Sequence, residues 1–105
     1  MKIIDLKTRP VFPYEERENN VLYQADTFKT RLVELGPDGN MPPCDMDMHV
    51  MFYVIEGQVT VTVDQQSQDL QEGQLLISKP GQFSMESRHG SRLLGIQIAG
   101  GGESP

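Results

Sequence analysis

Apolar and polar residues alternate through most of this chain, and little of it repeats at a helical period. The clearest run is "VTVTVD" (59–64), with Val59, Val61 and Val63 on one face and Thr60 and Thr62 on the other. β-Branched residues at period two predict a half-buried strand. "MFYVIE" (51–56) is rich in aromatic and β-branched residues and is followed by Gly57, so the two runs predict a hairpin turning at Glu56-Gly57. Further strands are predicted at "VLYQA" (21–25), "FKTRLVEL" (28–35), "QLLIS" (74–78) and "RLLGIQIA" (92–99). Breaks separate them at "GPDG" (36–39), "PP" (42–43), "DQQSQ" (64–68), "EG" (72–73), "KPG" (79–81) and "SRHGS" (87–91). Short strands at this spacing predict an all-β sandwich or barrel. Residues 1–20 are polar, with scattered hydrophobes and prolines, and predict an arm that packs on a neighbouring molecule. "GGGESP" (100–105) predicts a flexible tail.

The same alternation selects the candidate chemistry. Cys44, Met46, Met48, Val50, Phe52 and Val54 fall on one face. If Val50 points inward, so do the rest, giving an apolar strip with a soft sulfur lining. The strip is either solid core or the wall of a pocket for a small apolar or amphipathic ligand. The opposite face carries Asp45, Asp47 and His49, followed by Met51, Tyr53 and Ile55. Two acids and an imidazole at alternate positions could hold a ferrous or manganous ion with open coordination positions, or could be a solvated patch. Met51, Tyr53 and Ile55 form an outer apolar row able to pack against another surface. Cys44 needs nearby positive charge or a base to act as a thiolate. Its neighbour Asp45 opposes ionisation, and His49 is the base nearest in sequence. Arg31 and Lys79 are candidate cations for a ligand carboxylate, although alternation around Arg31 gives no clear inward face. His89 falls in the predicted turn "SRHGS".

Composition narrows the function classes. The 105 residues suit one domain spanning 1–105, of which 1–20 is the arm and 100–105 the tail. A domain this small gains burial by pairing, so a homodimer is expected. Formal net charge is −6, which excludes a phosphate-backbone binder and so nucleic acid. One cysteine allows no intrachain disulfide. The N-terminal "MKIIDLKTRPVFP" lacks the apolar core of a signal peptide, and no apolar run reaches the roughly 20 residues of a membrane helix. A cytoplasmic protein with no membrane contact is expected.

The order of these signals resembles the cupin family, whose members are double-stranded β-helix (jelly-roll) barrels with two motifs. The first motif is Gly, then His-x-His, then Glu, then Gly. The second is Gly-x5-Pro-x-Gly-x-x-His. "YVIEGQVTVTVD" (53–64) resembles the end of the first, and "LQEGQLLISKPGQFSM" (70–85) resembles the second, with Gly73 and Gly81 in place. The likeness covers about residues 30–99. It implies either a metal enzyme, dioxygenase- or isomerase-like, or a non-catalytic binding barrel. The four positions at which the family holds its metal read Cys44, Met46, Val50 and Ser84, with Lys79 in place of the proline. Hard oxygen and soft sulfur select different ions, and valine ligates none. The expected function is therefore a metal-independent small-molecule-binding barrel with a pocket at Cys44, Met46, Val50, Phe52 and Ser84 and no cofactor. The alternative is a metalloenzyme with a divalent transition ion on Asp45, Asp47 and His49.

Overall fold

The computed structural model describes residues 1–99; the tail predicted at 100–105 lies outside the described residues. A short 3-10 helix, Tyr14–Asn20, leads into β1 (Val21–Gln24), β2 (Phe28–Met46), β3 (His49–Val63), β4 (Gln66–Gln71), β5 (Leu75–Ser78) and β6 (Gly81–Ile98). The strands form one antiparallel sheet in the order β1-β2-β6-β3-β4, with β5 added alongside β3. β6 lies between β2 and β3 over most of its length. β3 takes β5 against its first half (Val50–Tyr53) and β4 against its second (Gln58–Val63). Long strands that bend and change partners in this way close a sheet over a core.

The bends fall where the sequence suggested turns. Residues 51–56 and 59–63 are two halves of β3, not the arms of a hairpin, because Gly57 bends the strand instead of reversing it. Its φ of +83° and the register shift against β6 between Gly57 and Thr60 mark the corner. A Cβ there would collide with Gly90 O and stand 2.9 Å from Ser91 Cα, so the corner is closed by backbone against backbone. Ser87 fastens it, donating to Gln58 O (2.7 Å) and accepting from the Gly90 N–H (3.0 Å). Pro42 and Pro43, which lack N–H groups, fall in a bulge of β2 between Met41 and Cys44. The actual hairpin joins β3 to β4 at Asp64-Gln65, both with positive φ, as a two-residue turn matching strand twist requires. The "DQQSQ" segment, read as a break, runs into β4. This is a polar edge strand held by Thr60–Asp69 (2.7 Å) and Thr62–Ser67 (2.7 Å) side-chain hydrogen bonds, with Leu70 its one buried residue.

Two apolar layers result. Inside the barrel lie Leu35, Met41, Val50, Phe52, Val54, Val59, Val61, Leu70, Phe83, Met85 and Leu93. Outside, Leu22, Leu32 and Ile55 form a second cluster covered by Ile4, Leu6 and Val11 of the N-terminal arm. The arm thus packs on its own barrel and covers Ile55 of the predicted outer row. Arg92 holds it there, donating to the carbonyls of Leu6 (3.0 Å) and Arg9 (2.9 Å) while facing Glu34 (3.4 Å). Asp5 accepts the Lys7 and Thr8 N–H groups, which hold its carboxyl below the ordinary value.

Replacing Gly57 by Ala is expected to cost clearly more than the roughly 1–2 kcal/mol that the left-handed conformation alone imposes, because a Cβ there meets Gly90 O. Gly73→Ala, at φ +86° with open space around it, is expected to lose only the backbone cost. Chemical denaturation of both variants checks this; equal losses would contradict the corner packing.

Candidate functional site

The inward face of β2, β6 and β3 does not fill the barrel completely. Pairing sets side chains in rows across the three strands, and one row reads Arg31 (β2), Gly95 (β6), Phe52 (β3). Gly95 contributes no side chain. A Cβ at this position would lie 3.0 Å from Phe52 Cε1 and 3.8 Å from Arg31 Cγ, so the ring and the arginine stem approach each other over bare backbone. An isolated glycine within a strand often marks such a close approach.

Beside this contact is a cavity of about 170 Å³. Its apolar end is built by Met41, Cys44 and Met46 of β2 and by Phe52, which packs on Phe83 with ring centroids 6.0 Å apart at 57°. Val33 and Leu35 form the wall. Phe12, Tyr14, Arg17 and Asn20, from the arm and the 3-10 helix, line it from the other side. This lid is positioned by a reciprocal pair: Asn20 Oδ1 accepts the Phe12 N–H (2.7 Å) and Asn20 Nδ2 donates to Phe12 O (3.0 Å). Arg17 is anchored in turn, its guanidinium 4.2 Å from the Tyr14 ring centroid and donating to Tyr14 O (3.0 Å).

Arg31 is the unusual member of the lining. It shares the inward side of β2 with Val33 and Leu35, while Leu32 faces the arm. Among the described residues it forms no hydrogen bond or ion pair, and its Nε is buried without an acceptor. A buried donor left without a partner costs about 1–3 kcal/mol, more when charged. The other carboxylate at the rim, Glu34, is turned to Arg92.

Of the residues that the sequence singled out, Cys44, Met46 and Phe52 come together in this cavity. Val50 is fully buried in the core next to it, without reaching the lining. Ser84 lies elsewhere. It pairs with Thr62 and alternates with the buried Phe83 and Met85, so it faces outward. The run from Cys44 to Val54 is not one strand, since Asp47 and Met48 connect β2 to β3. Cys44 Sγ has the carbonyl oxygen of Asp45 as its hydrogen-bond partner (3.9 Å), not an imidazole or amine.

Asp45, Asp47 and His49 do not converge. Asp45, next to the last residue of β2, accepts from Gln82 Nε2 (3.4 Å), Asp47 is in the connection, and His49 opens β3 opposite Ile98. Among the described residues no group of three or more His, Cys, Asp or Glu side chains is placed to hold a metal ion. The metal that the fold family implies therefore does not fit the residues present: two sulfurs in a cavity, a buried valine and an outward serine are not a ligand set. Lys79 is exposed between β5 and β6, and His89 is exposed on β6 opposite Pro37. Reasoning from the sequence missed Gly95, Met41 and the Phe12–Tyr14 lid, and it left the direction of Arg31 open. The glycine within "LLGIQI" was the available signal.

No protein-family model matches the chain, and no curated protein sequence matches it. Solved structures do. A cupin protein described as RmlC-like from Desulfovibrio desulfuricans superposes with a TM-score of 0.77 at 14% identity, covering 93% of this chain and 96% of that one. A putative ethanolamine utilization protein Q from Salmonella typhimurium gives 0.77 at 13% identity, covering 93% and 85%. A cupin superfamily protein from Desulfitobacterium hafniense gives 0.70 at 16%, covering 76% and 74%. At these identities the likeness is one of architecture, and on that architecture the chain has the cupin fold.

Proposed function

We propose that this protein is a small-molecule-binding cupin barrel that works without the metal site usual for the fold. The observation that carries this reading is the cavity of about 170 Å³, lined chiefly by apolar and sulfur-bearing side chains. An engineered cavity of about 150 Å³ lined by aliphatic and aromatic carbon binds benzene, so the space is adequate for a ligand of a few non-hydrogen atoms. Methionines at such a wall adapt to ligand shape. Binding rather than chemistry is the role assigned, because neither a trio of metal ligands nor a thiol–base pair is assembled in the described residues. The absence from the described residues of a helix long and apolar enough to cross a membrane is consistent with the cytoplasmic location we assign.

We further assign a homodimer. On the outside of β6, β3 and β5, Tyr53 stands between Leu94 and Leu75, and Met51 between Ile96 and Ile77. Ile77 is 68% exposed and Leu75 50%. This apolar face, at the margin formed by β5, can meet a second copy of itself about a two-fold axis.

Purified protein is expected to carry no stoichiometric transition metal by elemental analysis. It is also expected to bind a neutral aromatic probe such as benzene in calorimetry, with about 2.7 kcal/mol of added stability at 100 times the dissociation constant. One tightly held ion per chain, or no binding by the wild type, would overturn the reading. For the dimer, light scattering at micromolar concentration is expected to give twice the chain mass and Ile77→Glu the single mass; a monomeric wild type contradicts it.

A further inference from the structure

We propose that the ligand is a small monoanion with an apolar body, a monocarboxylate, whose charged end is held by Arg31. This rests on the cavity being a binding site and adds what the site selects. The chain has a formal net charge of −6, yet its barrel interior holds a guanidinium with no carboxylate of its own. Other cations nearby are satisfied: Arg92 by two carbonyls and Glu34, Lys29 by Glu18 at 4.0 Å, Arg17 by Tyr14 O. Arg31 shares the inward face with Val33 and Leu35 and meets no acceptor among the described residues. Its Nε is enclosed by protein, so its terminal nitrogens are the ones available to a ligand. A guanidinium end presents two parallel N–H groups that match a carboxylate, and a bidentate contact of this kind is stronger than a neutral hydrogen bond.

The dimensions fit such a molecule. Further along β2 from Arg31, Met41, Cys44 and Met46 offer carbon and sulfur but no strong donor or acceptor. That end rejects a second charge, because nothing there would replace the lost hydration. Gln97, two residues along β6 from Gly95, is the neighbouring polar group on the same face and can donate to the second carboxylate oxygen. Glu34 at the rim opposes an anion, but its Oε2 is already directed at Arg92 (3.4 Å). At about 170 Å³ the space suits roughly six to ten non-hydrogen atoms, judged against the benzene-binding cavity of about 150 Å³. Benzoate and short branched-chain carboxylates fall within this range; dicarboxylates of the same size would bring a second charge to the apolar end, and pentose or hexose phosphates exceed the range.

The test uses the full chain and two probes of similar size, benzoate and benzyl alcohol, in calorimetric titrations at neutral pH. The wild type is expected to bind benzoate about tenfold or more tightly than benzyl alcohol. Arg31→Met should remove that preference, and Arg31→Lys should retain part of it. Circular dichroism melting shows whether each variant folds; if Arg31→Met does not, the Lys variant and the wild-type preference still decide. Equal binding of both probes by the wild type, or an unchanged preference in a folded Arg31→Met, overturns the anion assignment and leaves the cavity site standing. Binding of neither probe overturns the site and the assignment together.

Discussion

Closure of the sheet is the constraint from which the rest follows. β2, β3 and β6 are hydrogen-bonded side by side and bend together, so every second residue on each is forced into one enclosed volume. That volume must be filled by side chains or remain as a cavity. Ten residues along β6 from Gly95, Met41, Met85 and Val61 share a row of three buried side chains; at Gly95 the middle strand contributes no side chain, and the Phe52 ring and the Arg31 stem close over it beside the cavity. Such a void forfeits dispersion contacts and destabilises the barrel. Its presence beside an unpartnered guanidinium gives the interior two unsatisfied features that one amphipathic ligand would satisfy together.

The arm completes the geometry. It buries Leu32 and Ile55 from outside and brings Phe12 and Tyr14 to the lining of the cavity, so that barrel and lid are tied through Asn20 and Arg92. The lid connects to the barrel through a few hydrogen bonds and a small apolar cluster, not through the sheet ladder. Segments attached in this way are drawn from the less stable end of a structure, and entry of a ligand is most naturally accommodated there.

The fold was legible because its signals are local: period-two runs such as "VTVTVD", and glycines at the motif spacings. Turn residues misled where they bend strands instead of ending them. Gly57 and Pro42-Pro43 have the composition of a loop, but a corner or bulge needs the same missing Cβ or missing N–H. β4 escaped notice because an edge strand needs one inward residue, Leu70, and can be polar elsewhere. The site was partly legible. Cys44, Met46 and Phe52 follow from parity, whereas Ser84 was placed by counting along a motif whose register does not hold here, with Phe83 and Met85 taking the inward positions. The direction of Arg31 could not be read because the arm buries the outer side of β2 as well, and a strand covered on both faces loses its alternation.

A shared scaffold says little about chemistry; the account stands on a cavity inside the barrel that a ligand can enter. Methionine methyl groups labelled with carbon-13 report on this directly, because Met41 and Met46 line the cavity while Met51 packs on the outer face and Met1 is fully exposed. On titration with benzene, the Met41 and Met46 methyl resonances should shift together and saturate with one dissociation constant, with Met1 and Met51 unmoved. Unchanged Met41 and Met46 signals up to the solubility limit, or shifts confined to Met51, would contradict it.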